Sequence, residues 1–302
     1  MFSRDPDAFF AFARGLAPDF GPATAKAAFL VAPDGFTRAA ESARDNGYMA
    51  ADGFDAAAAM AQHHALQRAL STELPVVCFP GDPTAPDGLF PNNVFATVPG
   101  RLLVGRMRHP VRRREARRDD IRGFFGGAMG YAERDLSTQP HPCELTGALV
   151  VDRARGIGFC GLSERCDEAG ARLMHEAFGL RATLVFELAS GEYHANVVLA
   201  VLAGHAALAC PDGFADPRVA AAILGFYAPH GIALDAAART GFAGNAISLV
   251  PGSAWMSARA AAALGGGPRA RLEASGFVLR TVPLDAIEAA GGSLRCCVAE
   301  IF

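Results

Sequence analysis

The sequence predicts an α/β fold, a five-bladed propeller whose repeating module is strand, strand, helix, strand. Three observations carry that expectation. Short apolar runs alternate with single helical segments, the alternation recurs, and five polar or reactive residues stand at a near-constant interval along it. Periodicity separates the two kinds of segment, because strand side chains alternate faces while helical ones return every three to four residues.

In chain order, "AAFLVAP" (27–33) reads as a strand. "FDAAAAMAQHHALQRALS" (54–71) is Ala-rich with helical spacing, and "PVVCF" (75–79) follows as a strand. "NVFAT" and "LLVG" flank the turn "VPGR", and a helix is expected through "VRRREARRDDIRGFF". "GALVVD" and "GIGFC" pair around "RARG", followed by the helix "DEAGARLMHEAFG" and the strand "ATLVFEL". "NVVLAVL" and "HAALAC" then pair, and the helix "DPRVAAAILGFYAPHG" follows. The last quarter repeats the theme less cleanly as "AISLV", "AWMSARAAAALG" and "FVLRTVPL", before a final strand "CCVAEIF". If that strand begins a module completed by the first residues of the chain, there are five modules and the ring closes, which removes exposed sheet edges.

Asn93, Glu144, His194, Asn245 and Cys296 stand at the module entrances. Their separations (144−93, 194−144, 245−194, 296−245) are 51, 50, 51 and 51 residues. A constant step returns the chain to the same depth in each blade, so residues some two hundred positions apart are expected to meet at one axis.

Composition narrows the class. With 302 residues, 51% of them hydrophobic, the chain can bury a large core, and a formal charge of −3 gives no overall field toward nucleic acid or membrane. Seven scattered cysteines without CxxC spacing make a poor disulfide framework and a poor zinc site. The charged start "MFSRDPDAFFAFARGLAPDF" has no signal-peptide core, and no run approaches a membrane span. The expectation is a cytoplasmic, soluble protein: one catalytic domain over 1–302 with an N-terminal extension at 1–24, no metal or other cofactor, and no bar to homo-oligomers. The basic run "RMRHPVRRREARRDDIR" carries Glu115, Asp119 and Asp120 among its arginines and no stacking aromatics, so helix-face pairing is expected rather than nucleic-acid binding. His63 and His64 are expected to face solvent, and His109, His141, His175, His205 and His230 to lack acidic or thiol partners.

Six segments in order, "PDGLFPNNVFAT", "RRREARRDDI", "ELTGALVVD", "YHANVVLAV", "GFAGNAISL" and "GGSLRCCVAEIF", resemble the guanidino-group modifying superfamily. That superfamily comprises arginine deiminases, dimethylarginine hydrolases, succinylarginine dihydrolases and amidinotransferases, and the pattern is most similar to the bacterial citrulline-utilisation hydrolases. The resemblance runs from about residue 27 to the C-terminus and implies the five-bladed α/β propeller known as the pentein fold. It also implies a cysteine-dependent hydrolase of C–N bonds in a ureido or guanidino amino acid.

The chemistry fits residues of these types. A resonance-stabilised guanidinium or ureido carbon yields to a thiolate when the substrate is oriented and the leaving amine is protonated. Cys296 supplies the sulfur, His194 the proton transfer, and Glu144 a carboxylate that orients the imidazole. Between the adjacent cysteines, strand alternation groups Cys297 with Ala299 and Ile301, a core set, and leaves Cys296 beside the Gly-Gly-Ser turn. The family pattern also lands on Cys296.

Where arginine deiminases have aspartates, this chain has Asn93 and Asn196. Amides can bond a neutral ureido group, whereas paired carboxylates suit a cation, so citrulline is expected, with ornithine, carbon dioxide and ammonia as products. Arginine deiminase, dimethylarginine-type hydrolase and amidinotransferase activities are the alternatives, as is a non-catalytic binder of an arginine-like ligand. By resemblance Asp87 meets the substrate's α-amino group and Arg165 its α-carboxylate, while Asn92, Asn245 and Phe242 line the pocket. The chain departs from the family at Leu145, commonly Gly, and at Val94, usually Trp.

Overall fold

A computed structural model describes all 302 residues as a mixed α/β fold of five small sheets. The strands are β1 (Phe2–Ser3), β2 (Ala27–Val31), β3 (Val76–Phe79), β4 (Phe95–Val98), β5 (Arg101–Val104), β6 (Ala132–Asp135), β7 (Leu149–Asp152) and β8 (Ile157–Leu162). They continue as β9 (Ala182–Glu187), β10 (Leu199–Leu202), β11 (Ala206–Ala209), β12 (Gly231–Ala233), β13 (Ser253–Ser257), β14 (Val278–Val282) and β15 (Ala299–Ile301).

Four sheets share one connectivity: an antiparallel pair followed by a parallel third strand. They run β15-β2-β3, β4-β5-β6, β7-β8-β9 and β10-β11-β12. The first contains the C-terminal strand paired with the N-terminal part of the chain, Ala299 opposite Phe29. In the last quarter β13 and β14 are parallel, and "AISLV" is not a strand: only Ile247 bridges, antiparallel, to Trp255.

Helices cross between parallel strands, and aspartates start them. Asp55, Asp167 and Asp216 accept backbone N–H bonds from Ala58, Gly170 and Arg218 at the helices Ala56–Leu70, Glu168–Phe178 and Pro217–Phe226. Such caps contribute about 1 kcal/mol each. Glu168–Phe178 buries Gly170, Ala171, Met174, Ala177 and Phe178 on one face and stops at Gly179, whose φ of 66° suits glycine.

Residues 1–24, unplaced by sequence, are docked. β1 adds in parallel to β9, and helix Pro6–Ala13 buries Phe9, Phe10 and Ala13 in the largest apolar cluster. Full burial of each phenylalanine is worth roughly 1.5–3 kcal/mol.

The arginine-rich run is not one helix. It breaks into the turns Pro110–Arg113, Glu115–Arg117, Asp119–Gly123 and Phe124–Ala128, so its side chains radiate in several directions. Other corrections concern histidines. His63 is buried, because its helix face packs inward. His109 and His141 do have acidic partners, Asp45 at 3.0 Å and Asp167 at 2.9 Å, contributed by residues distant in sequence.

Candidate active site

Four sheets are entered through a single helical turn: Pro91–Asn93, Leu145–Ala148, Ala195–Val198 and Leu294–Cys297. Cys296 and Cys297 therefore sit on a helical turn, not on a strand, and β15 starts only at Ala299. Neighbours on a helix point about 100° apart, so the two sulfurs still diverge. Both cysteines belong to the apolar cluster that holds Leu294 and Val298, and Cys296 also lines a cavity.

A one-turn helix cannot satisfy its own end groups. Here the next module does so. Thr146 Oγ1 donates to the Asn92 carbonyl (2.9 Å), Asn196 Nδ2 to the Thr146 carbonyl (3.0 Å) and Asn245 Nδ2 to the Asn196 carbonyl (2.8 Å). Asn245 Oδ1 then accepts from the Arg295 N–H at 3.0 Å. These links draw the five module entrances together.

Several of the proposed residues fall into two groups linked by a third element, Asn93. His194 Nε2 is 2.9 Å from Glu144 Oε2, both side chains wholly buried. The Cys296 sulfur is 3.3 Å from Asn245 Nδ2 and 3.9 Å from Asn196 Oδ1. Asn93 joins the two: it shares the cavity wall with Cys296, and a Cβ on Gly147 would lie 2.7 Å from both Asn93 Oδ1 and His194 Cε1. A side chain at 147 would force the imidazole and the amide apart. Gly292 does the same for the thiol, since a Cβ there would meet Phe90 at 2.8 Å and Cys296 Cβ at 3.3 Å.

The cavity is narrow and partly open to solvent. Away from the sulfur its wall carries Asp87, Arg112 and Arg165. Arg165 is held by Asp45 through two 2.7 Å bonds and donates to Glu144 at 3.3 Å. Asp87 accepts from Ser42 Oγ and keeps Oδ1 unbonded. Asn92 is fully buried with its amide unpaired, and Phe242 packs against Tyr48, ring centres 5.1 Å apart and planes tilted by 38°, off the cavity wall. Buried polar atoms without partners are uncommon, and Asp87 Oδ1, Asn93 Oδ1 and His194 Nδ1 gather around this one site.

Arg112, Asp45 and Ser42 were not singled out in the sequence. Arg112 sits inside the basic run, yet it is buried, clamped on Glu115 by bonds of 3.0 and 2.8 Å and 3.9 Å from both Asp87 Oδ2 and Glu144 Oε2. Its spacing to Glu115 was the available signal, but i,i+3 pairing looks the same on a solvated face. Leu145, the departure from glycine, has a φ of 22°, at the edge of the left-handed region that favours glycine, and its side chain packs where Gly105 leaves room.

Electrostatics sets the resting protonation. Burial pushes the Glu144 carboxyl up, but Arg165, His194 and Arg112 outweigh it and hold the group well below the usual range. Burial lowers the His194 pKa despite the partner carboxylate. An ionised Glu144 only accepts hydrogen bonds, so neutral His194 carries its proton on Nε2 and keeps a lone pair on Nδ1. Burial also raises the Cys296 thiol, opposed in part by its bonds and by nearby arginines.

Comparison with known proteins gives the lineage. The family model described as "N,N dimethylarginine dimethylhydrolase, eukaryotic" matches residues 32–302. No curated protein sequence matches significantly. Among solved structures, the substrate-bound N-terminal domain of ArgZ, an arginine dihydrolase from the ornithine-ammonia cycle in Cyanobacteria, superposes with a TM-score of 0.79 at 19% identity, covering 91% of this chain and 97% of that one. An AgrE variant bound to L-arginine gives 0.76 at 20% identity, covering 91% of this chain and 40% of the longer AgrE chain. A dimethylarginine dimethylaminohydrolase variant carrying an S-methyl-L-thiocitrulline adduct gives 0.68 at 19% identity, covering 92% and 100%. The chain belongs to the dimethylarginine dimethylhydrolase family within the guanidino-group modifying superfamily, and is a hydrolase of carbon–nitrogen bonds other than peptide bonds.

Proposed function

We propose that Cys296, His194 and Glu144 hydrolyse the ureido group of citrulline. The supporting observation is the character of the atoms at the sulfur. Asn245, Asn196 and Asn93 are neutral amides, and the nearby carboxylate of Glu144 is already bound by His194, Arg165 and the Arg108 N–H. A guanidinium brought there would find no carboxylate to pair with, whereas a ureido carbonyl and NH₂ find matching amide donors and acceptors. At the far end, Arg112 and Arg165 receive the α-carboxylate and Asp87 the α-ammonium, so charge fixes orientation while amides face the reacting carbon.

In this cycle His194 Nδ1 accepts the Cys296 proton as sulfur bonds to the ureido carbon. The bond to the ornithine nitrogen breaks, and His194 returns the proton to it. Water, deprotonated by the same imidazole, attacks the S-carbamoyl carbon; sulfur leaves and is reprotonated, and the released carbamate falls apart to carbon dioxide and ammonia. The balance is citrulline plus water to ornithine, carbon dioxide and ammonia.

The chain acts as one catalytic unit over 1–302, its five sheets arranged as propeller blades around this centre. The module-to-module bonds support that arrangement, as does the contact of Thr97 Oγ1 with the Glu300 carbonyl at 2.9 Å, which joins the first and second sheets. The shared fold with ArgZ and the L-arginine complex of AgrE favours a second reading, in which arginine is taken instead. Incubation with each amino acid, with assay of ornithine, citrulline and ammonia, decides: ornithine from citrulline upholds the first reading, and turnover of arginine alone replaces it with the second.

A further inference from the structure

Of the eight arginines in the basic run only Arg112 lines the cysteine cavity, and three of the others surround another one. Arg106, Arg113 and Arg117, with Met107, Ser137 and Thr138, line a separate, partly open hollow of about 350 Å³. No carboxylate stands on its wall. Elsewhere in the same stretch four arginines pair with acids, Arg108 with Glu164, Arg112 with Glu115, Arg118 with Asp120 and Arg122 with Asp135, and Arg114 donates to the Thr84 carbonyl. Arg106, Arg113 and Arg117 make no such pair, and Arg106 Nε is buried without any hydrogen-bond partner.

Two of the three are held in place by their own backbone surroundings. Arg106 Nη1 donates to the Ser137 carbonyl at 2.7 Å, while Arg113 Nε and Nη2 donate to the Met107 and Arg108 carbonyls at 3.1 and 3.0 Å. The nearby acids are already engaged, Glu41 by the Val111 N–H and Asp135 by Arg122 and the Ser137 N–H. Three arginines thus line one hollow whose wall carries no carboxylate. Burial and the neighbouring Arg106 and Arg108 lower the Arg113 pKa, with Glu41 opposing them in part.

We infer that this hollow binds a phosphate-type oxyanion, gripped by the guanidinium groups of Arg106, Arg113 and Arg117 and the hydroxyls of Ser137 and Thr138. Guanidinium forks match phosphate geometry, and charge-assisted bonds of this kind are the strong ones. The volume admits either free phosphate or the phosphoryl end of a small metabolite. The site adjoins the catalytic centre through its wall: the Cys143 N–H donates to the Arg106 carbonyl at 2.9 Å, and the Arg108 N–H to Glu144 Oε1 at 3.0 Å.

The test is calorimetric titration of the full chain at constant ionic strength with inorganic phosphate, ribose 5-phosphate and AMP. The expected result is saturable one-to-one binding that weakens about tenfold or more in Arg117→Glu and in Arg106→Gln, a tenfold change being about 1.4 kcal/mol. Arg117 is exposed and its side chain is unbonded, so Arg117→Glu keeps the fold, which its Tm and undiminished Cys296 labelling by a haloacetamidine would verify. Equal affinity for all three points to free phosphate, and tighter binding of the esters to a metabolite. The inference is overturned by no saturable binding, by binding that ignores both substitutions, or by affinity confined to oligonucleotides with a steep salt dependence.

Discussion

Glu144 and His194 stand fifty residues apart in sequence and 2.9 Å apart in space, each wholly buried, with Arg165 and Arg112 converging on the same carboxylate oxygen at 3.3 and 3.9 Å. The carboxylate therefore serves two functions, fixing the imidazole tautomer and neutralising two buried guanidinium groups. Glu144→Gln should lower kcat by about 10²–10⁴-fold, the usual range for lost acid–base catalysis. It should also cost about 3–5 kcal/mol by leaving buried charge unpaired, read as a fall in denaturation midpoint. Because the folded pKa lies below the ordinary value of about 4.3, the carboxylate's stabilisation is complete above that pH and is lost as pH falls through the folded value. Denaturation midpoints of the two proteins should therefore converge in strong acid; a gap that stays constant would reject the assignment.

The twin cysteines make a paired control. Cys296→Ser should remove turnover by about 10³-fold or more with Tm little changed. Cys297→Ser should keep turnover and lose about 1–3 kcal/mol, the cost of an unpaired hydroxyl in the apolar cluster around Leu294 and Val298. Steady-state rates and thermal melts on both variants check it, and the reverse pattern would move the nucleophile to the second sulfur.

The thiol itself should titrate high. With its pKa raised by burial, alkylation of Cys296 by iodoacetamide should be slow at pH 7 and accelerate through and beyond the ordinary thiol value of about 8.5. Mass-spectrometric rates across pH 6–10 report it. A plateau already reached at neutral pH would mean the resting sulfur is a thiolate.

Substrate charge should be switchable at one position. Asn93→Asp places a carboxylate on the wall beside Cys296, and the ratio of kcat/KM for arginine over citrulline should rise about tenfold or more, since opposite charges pair strongly in a dry site. Competition kinetics with both amino acids measure that ratio, and an unchanged ratio would sever Asn93 from substrate choice.

Gly147→Ala tests close packing. Its new methyl would lie 2.7 Å from Asn93 Oδ1 and from the His194 ring, so the imidazole must move. A loss of about 10²-fold in kcat with a smaller change in KM is expected, because misplacement of about 1 Å at the reacting atoms costs that much.

Some of this was legible without coordinates. The near-fifty step recurs as a single helical turn at four sheet entrances, and Glu144 and His194, one step apart, meet at 2.9 Å. Local pattern failed where tertiary contact overrides it. A run such as "CCVAEIF" has strand composition, yet its first residues coil because Asn245 anchors the Arg295 N–H across the centre. "AISLV" is as apolar as any strand but keeps only one bridge. The basic run is rich in helix formers and still breaks, with Arg112 drawn inward by Glu115 and Asp87.

The amino-acid order alone determined the α/β class, the module and its repeat, and the chemical identities of sulfur, imidazole, carboxylate and amides. Those follow from periodicity and side-chain type, which are local properties of a chain. Tertiary structure alone decided that Asp45 clamps Arg165, that Arg112 joins the cavity wall, and that three other arginines are left without acids. Pairing of charges depends on distance through folded space, and sequence separation carries no measure of it.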